Sequence, residues 1–190
     1  MGQVPQDMLA VRYDGAGGAE VVRTAREPVP VPGPGEVLVA VAAAGLNRAD
    51  LVQRAGDYPV PPGASEIPGL EVSGTVVAVG PEAGMPGEGR FGVGDRVCAL
   101  LAGGGYAEHV VVPAGQLMAV PEGVDLVDAA AFPEVACTVH SNLVGAARVQ
   151  AGEWALVHGA TGGIGSFAVQ YLAATGVRVL GTAGGEAKVA

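Results

Sequence analysis

The sequence predicts an α/β protein in two parts: a small β-barrel or sandwich up to about Val124, then a βαβ unit. Three observations carry that prediction. Short apolar, β-branched runs recur between Gly and Pro clusters over the first 124 residues, the pattern of an all-β part. Glycine fills 32 of 190 positions and proline 14, against usual shares of ~7% and ~5%, so tight turns and close backbone approaches are frequent. After residue 150 the order becomes strand, glycine turn, apolar helix, strand, which is a βαβ unit. The expected parts are residues 1–124 and 125–190.

In chain order, Met8 to Tyr13 reads as a strand, and Glu36 to Val41 (EVLVAV) as a second. The Pro-rich segment Glu27 to Gly35 is a stiff connector between them. Asn47 opens NRADLVQR, where an Asn cap with Asp50 in the first turn predicts one or two helical turns. Asp57 to Gly63 (DYPVPPG) has loop composition. Glu71 to Gly80, Gly94 to Leu101 and Tyr106 to Val112 are short strands. From Asp128 to Leu143 the composition is helical but broken by Pro133, so two pieces are expected, the second beginning near Glu134. Trp154 to His158 and Val177 to Leu180 are the strands of the βαβ unit, and Ile164 to Ala174 is its helix.

Composition narrows the function. Hydrophobic content of 49% with 15% charged residues supports a buried core and excludes a disordered or collagen-like chain. Ten basic against 19 acidic residues give a net charge of -9, with no basic run. Nucleic acid and anionic membrane surfaces are therefore poor partners. The first residues lack a basic stretch followed by an apolar one, and no apolar run reaches the length of a membrane span. Cys98 and Cys137 stand 39 positions apart in dissimilar surroundings, which argues against a disulfide framework or a cysteine metal site and for a reducing, cytoplasmic setting.

The motif that carries chemistry is HGATGGIG, His158 to Gly165. Ala160, Gly162 and Gly165 hold the spacing of a dinucleotide fingerprint, with Ala in the first glycine slot, between a strand and a helix as the mechanism requires. Gly162 would let the backbone approach a pyrophosphate, and Gly165 would let helix and strand pack closely. The N–H groups of Thr161, Gly163 and Ile164 would help the helix N-terminus hold negative charge. The alternative is a glycine turn with no ligand. At the end of the second strand, Gly181 to Gly185 offers no acid for ribose hydroxyls, while Lys188 lies just beyond, with Glu186 close by as the opposing charge. A 2'-phosphate is the easier partner, so NADPH is favoured over NADH.

The strings GLNRADLVQRAGDYPVPPGASEIPGLEVSG, VGDRVCALLAGGGYAEHVVVPAGQ and HGATGGIG resemble the quinone oxidoreductase branch of the medium-chain dehydrogenase/reductase superfamily, and within it the p53-inducible quinone oxidoreductase-like group. The resemblance runs from Met8 to Ala190. It implies a GroES-like β-barrel followed by the first βαβ unit of a Rossmann fold, and passage of hydride from NADPH to quinones or activated double bonds. Only two of the usual six Rossmann strands fall within 190 residues. The expectation is therefore a truncated chain, inactive in isolation, without the strand through which family members form homodimers. Reduction of 2-enals or enoyl thioesters and a non-catalytic fragment are the alternatives.

Zinc-dependent relatives hold their metal with Cys and His, and the resemblance places Asn47 and Leu70 at those positions. His109, His140 and His158 do not cluster with the cysteines at ligand spacing, so no metal is expected. The family pattern makes Asn47 and Tyr58 polar groups lining the substrate cleft. Asn47 doubles as a helix cap, and Tyr58 is otherwise an aromatic in a Pro-rich loop. Tyr58 could donate a hydrogen bond to a quinone oxygen as hydride arrives. Thr138 matches a position touching the cofactor near its nicotinamide end. Asp50, Arg54 and Glu71 match charged positions read as structural. Close relatives often carry Ser at the position of Gly162 and Ser or Thr near Gly185, and both hydroxyls are missing here.

Overall fold

The computed structural model describes residues 4–81, 91–185 and 188. These form two compact units, residues 1–133 and 134–190.

In the first unit, β1 (Asp7–Tyr13) and β2 (Val22–Pro28) make an antiparallel hairpin, in register from Asp7 opposite Pro28 to Tyr13 opposite Val22. β2 was not expected from the sequence. It covers Glu27 and Pro28, so the connector to the next strand is shorter than Glu27 to Gly35. Its charged, largely exposed side chains carry no apolar alternation, and only pairing with β1 makes it a strand. The Arg12 guanidinium donates to Glu27 at 2.8 Å across the hairpin.

β3 (Glu36–Ala44), β4 (Glu71–Val79), β5 (Arg96–Leu100), β6 (His109–Pro113) and β7 (Leu117–Ala119) form an antiparallel sheet in the order β6-β3-β4-β5-β7. Val37, Val39, Val72, Val76, Val97, Val110 and Val112 share one buried cluster with Leu117, the side-chain alternation of half-buried strands. β6 starts at His109 rather than Tyr106. Residues 106–108 instead stitch the sheet to the hairpin: Val11 N–H donates to Tyr106 O at 2.8 Å, Glu108 N–H to Leu9 O at 3.1 Å, and Val41 N–H to Glu108 O at 2.9 Å. β7 is also unforeseen, since three residues are too few to show a period.

Between β3 and β4 the chain forms α1 (Arg48–Ala55), ended by Gly56 in the left-handed conformation at φ 90°. The loop 57–63 follows. α2 (Leu126–Ala129) packs on β3 and β4 and starts two residues before the expected Asp128. The Asp125 side chain caps it by accepting from Val127 N–H at 2.6 Å.

In the second unit, α3 (Pro133–His140) continues into a wider π-helical turn at Ser141–Ala146. β8 (Trp154–Val157), α4 (Gly163–Ala174) and β9 (Arg178–Gly181) form the expected βαβ unit, with β8 and β9 parallel and Leu156 opposite Leu180. Gly165, Ala168 and Leu172 give α4 a buried stripe at helical spacing. The other face of the two strands is exposed at Trp154, Leu156 and Leu180.

Candidate functional site

Two local arrangements concern function, one in each unit.

In the first unit, Asn47 is the N-cap of α1, and the Asp50 carboxylate reaches back to accept from the Asn47 backbone N–H at 2.7 Å. The Asn47 side chain completes a capping box with Asp50, and its Nδ2 also donates to Glu71 Oε1 at 2.7 Å. Asp50 is 4% exposed and Glu71 2%, so two buried carboxylates bond Asn47, one at its backbone and one, from 24 positions along the chain, at its amide. Burial of a carboxylate is costly unless donors surround it. Tyr106 supplies one, its hydroxyl donating to Asp50 Oδ2 at 2.7 Å, with Gly45 O a further acceptor at 3.1 Å. Burial, reinforced by the bond to Asp50 and its charge, holds the Tyr106 hydroxyl well above the usual phenol range. Burial and the same carboxylate also raise Tyr13, whose hydroxyl reaches Asp50 O at 3.5 Å.

Tyr58 lies outside this network. It sits in the loop 57–63, 41% exposed, and among the described residues no hydrogen bond joins it to Asn47. Leu70 is buried and apolar beside Glu71. Among the described residues no three His, Cys, Asp or Glu side chains come together as a metal site. His140 is exposed at the end of α3, and His109 opens β6 with its Nδ1 buried.

In the second unit, the glycine turn between β8 and α4 has the geometry of an open cradle. Gly162 is the N-cap of α4, with no side-chain cap and no acid in the first turn. The first N–H groups of the helix, at Gly163, Ile164 and Gly165, have no carbonyl a turn earlier to bond. Around Gly163 nothing would meet a Cβ within 4 Å, and around Gly162 only Gly159 O at 3.4 Å. At Gly165 a Cβ would fall 2.2 Å from Gly159 O, so close packing of helix on turn demands glycine there. The residues at Ala160 and Thr161 bridge the turn. Ala160 N–H donates to Thr182 O at 2.9 Å, and Thr182 N–H to Val157 O at 2.9 Å.

Thr182, missed in the sequence, clamps this turn. Its Oγ1 accepts from Gly159 N–H at 3.3 Å and lies 3.1 Å from His158 Nδ1. Its signal was a hydroxyl one residue beyond the second strand. Lys188 is exposed, and Glu186 lies outside the described residues. Thr138 is half-buried in α3, and its carbonyl accepts from Asn142 Nδ2 at 2.8 Å and Ser141 Oγ at 3.1 Å where the helix widens. Such widened turns frequently mark functional sites.

The backbone groups and the lack of acid at the head of α4 fit a phosphate-bearing ligand. Residues 33–122 match the alcohol dehydrogenase GroES-like domain family. The human quinone oxidoreductase is 38% identical over 181 residues, which cover 94% of this chain and 54% of that protein. Among solved structures, mycobacterial Rv1454c complexed with NADPH superposes with a TM-score of 0.81 at 37% identity, over 96% of this chain and 54% of that one. The CurK enoyl reductase gives 0.84 at 27%, over 97% and 56%. The chain thus spans about half the length of the curated relatives it matches.

Proposed function

Because this chain belongs to the quinone oxidoreductase branch of the medium-chain dehydrogenase/reductase family, we propose that it serves NADPH-dependent reduction of a quinone, without zinc and in the cytoplasm. The observation that carries this reading is the uncapped, acid-free N-terminus of α4 behind a glycine turn, in a relative of quinone oxidoreductases. Residues 125–190 are the start of the nucleotide-binding part, and 1–124 the GroES-like part.

When bound, the dihydronicotinamide supplies the hydride. The protein binds and orients. The N–H groups of Gly163, Ile164 and Gly165 would hold a pyrophosphate, with Gly162 leaving it room and Ala160 with Thr161 shaping the turn. Lys188 would supply a positive charge for a 2'-phosphate, and Thr138 would support the nicotinamide end. Asn47 lines the substrate side, and Tyr58 donates a hydrogen bond to the quinone oxygen that gains charge, a contact worth about 10²-fold in rate. A carboxamide at 47 and a buried Leu70 make a poor donor pair for zinc, which supports the metal-free reading.

The likeness to the CurK enoyl reductase favours a second reading, reduction of enals or enoyl thioesters. Calorimetric titration with NADPH and NADH, followed by reduction assays on 1,4-quinones and crotonyl thioester, tests both. Tighter NADPH binding and turnover of quinone support the first reading. Turnover of the thioester alone overturns it in favour of the second, and no binding of either nucleotide overturns both for this chain.

A further inference from the structure

We propose that Glu71 is a positioning residue that locks the Asn47 carboxamide with one Nδ2–H spent internally and the other held out as a hydrogen-bond donor. The inference rests on the reading of Asn47 as a substrate-lining group and deepens it. A donor suits a carbonyl oxygen, the acceptor common to quinones, enals and enoyl thioesters.

The argument starts from hydrogen-bond inventory. An ionised carboxylate only accepts, whereas a carboxamide offers two donors on nitrogen and an acceptor oxygen. With Glu71 Oε1 at 2.7 Å, the amide must face the acid with nitrogen, because oxygen there would set acceptor against acceptor. The bond is charge-assisted and buried, about twice the strength of a neutral one. The backbone of Asn47 is fixed independently by the Asp50 carboxylate, so only the side-chain torsions remain for Glu71 to hold.

The seat of Glu71 is built as well. A Cβ on Gly45 would fall 2.1 Å from Glu71 Oε1 and 2.5 Å from its Cδ, and Gly45 N–H donates to Glu71 O at 3.2 Å. The turn after β3 therefore leaves a side chain's worth of room that the carboxylate fills. Displacing the acid without changing its charge is possible by substituting Gly45 alone.

The sequence contains only two asparagines, 47 and 142, so ¹⁵N labelling of Asn yields two side-chain amide pairs in an NMR spectrum of the 190-residue chain. The same label shows the Asn47 backbone N–H, held by Asp50 Oδ2, which reports intact folding of the first unit, while the Asn142 pair, bonded to Thr138 O, reports the second. In the unsubstituted chain one Asn47 Nδ2 proton is expected downfield and slow to exchange, with its geminal partner fast. Glu71→Gln and Gly45→Ala should each quicken exchange of the slow proton by about tenfold and leave the Asn47 backbone N–H and the Asn142 pair in place. An Asn47 pair with two equivalent fast protons, one unmoved by both substitutions, or one that quickens only together with the Asn47 backbone N–H, overturns the proposal. A chain whose Asn47 pair responds as expected but which binds neither NADPH nor NADH supports the positioning and overturns the oxidoreductase reading instead.

Discussion

Tyr106, just before β6, donates its hydroxyl to Asp50 in the first turn of α1 at 2.7 Å across 56 positions of sequence, and this bond ties the helix that carries Asn47 to the sheet. Tyr106→Phe removes the donor and leaves a buried carboxylate short of a partner, and Asp50 Oδ1 already has none among the described residues. The expected loss is about 1–3 kcal/mol, read as a lower denaturation midpoint.

Burial of Tyr106 together with this bond predicts alkaline behaviour. The two hold the Tyr106 hydroxyl above the ordinary phenol value of about 10 in the folded state, so the folded chain holds its proton where the unfolded chain releases it. The stabilisation is complete below pH about 10 and is lost as pH rises above that value. Denaturant midpoints measured from pH 8 to 11 should fall steeply above 10, and Tyr106→Phe should flatten that fall.

Gly162 and Gly165 separate ligand space from packing. Gly165→Ala places a Cβ against backbone at 2.2 Å and should destabilise the second unit by about 1–3 kcal/mol. Gly162→Ala meets only an ordinary contact, at a φ of -84° that any residue adopts. It should leave thermal stability nearly unchanged while weakening NADPH binding at least about tenfold, because its methyl enters the space a pyrophosphate needs. Calorimetry beside thermal melts distinguishes the two.

Thr182→Val keeps the shape of the side chain and removes the acceptor for Gly159 N–H. A loss of about 1 kcal/mol is expected. Hydrogen exchange should rise first at Gly159 and Ala160, whose bonds close on Thr182.

Lys188→Ala tests nucleotide choice. One exposed charge contributes about 0.2–1 kcal/mol, so NADPH affinity should drop by up to about fivefold with NADH unchanged. The difference should shrink with added salt, as titrations at two ionic strengths would show.

The βαβ unit was legible because everything that defines it is local: two short apolar strands, a glycine turn, and a buried helical stripe at Gly165, Ala168 and Leu172. The Asn47 cap, the loop at Asp57 and the break at Pro133 were legible for the same reason, since a cap, a turn and a missing N–H act within a few residues. β2 and β7 escaped because their side chains state no period and a distant partner makes them strands. Thr182, Glu71 and Tyr106 escaped as site residues because the groups they bond lie 23 to 56 positions away in the chain. Sequence alone determined which backbone could bend around a phosphate and which residues could cap, turn or break a helix. Tertiary structure decided which way the Asn47 amide faces and which buried acid is satisfied, because hydrogen-bond partners over such separations are chosen by strand register and packing.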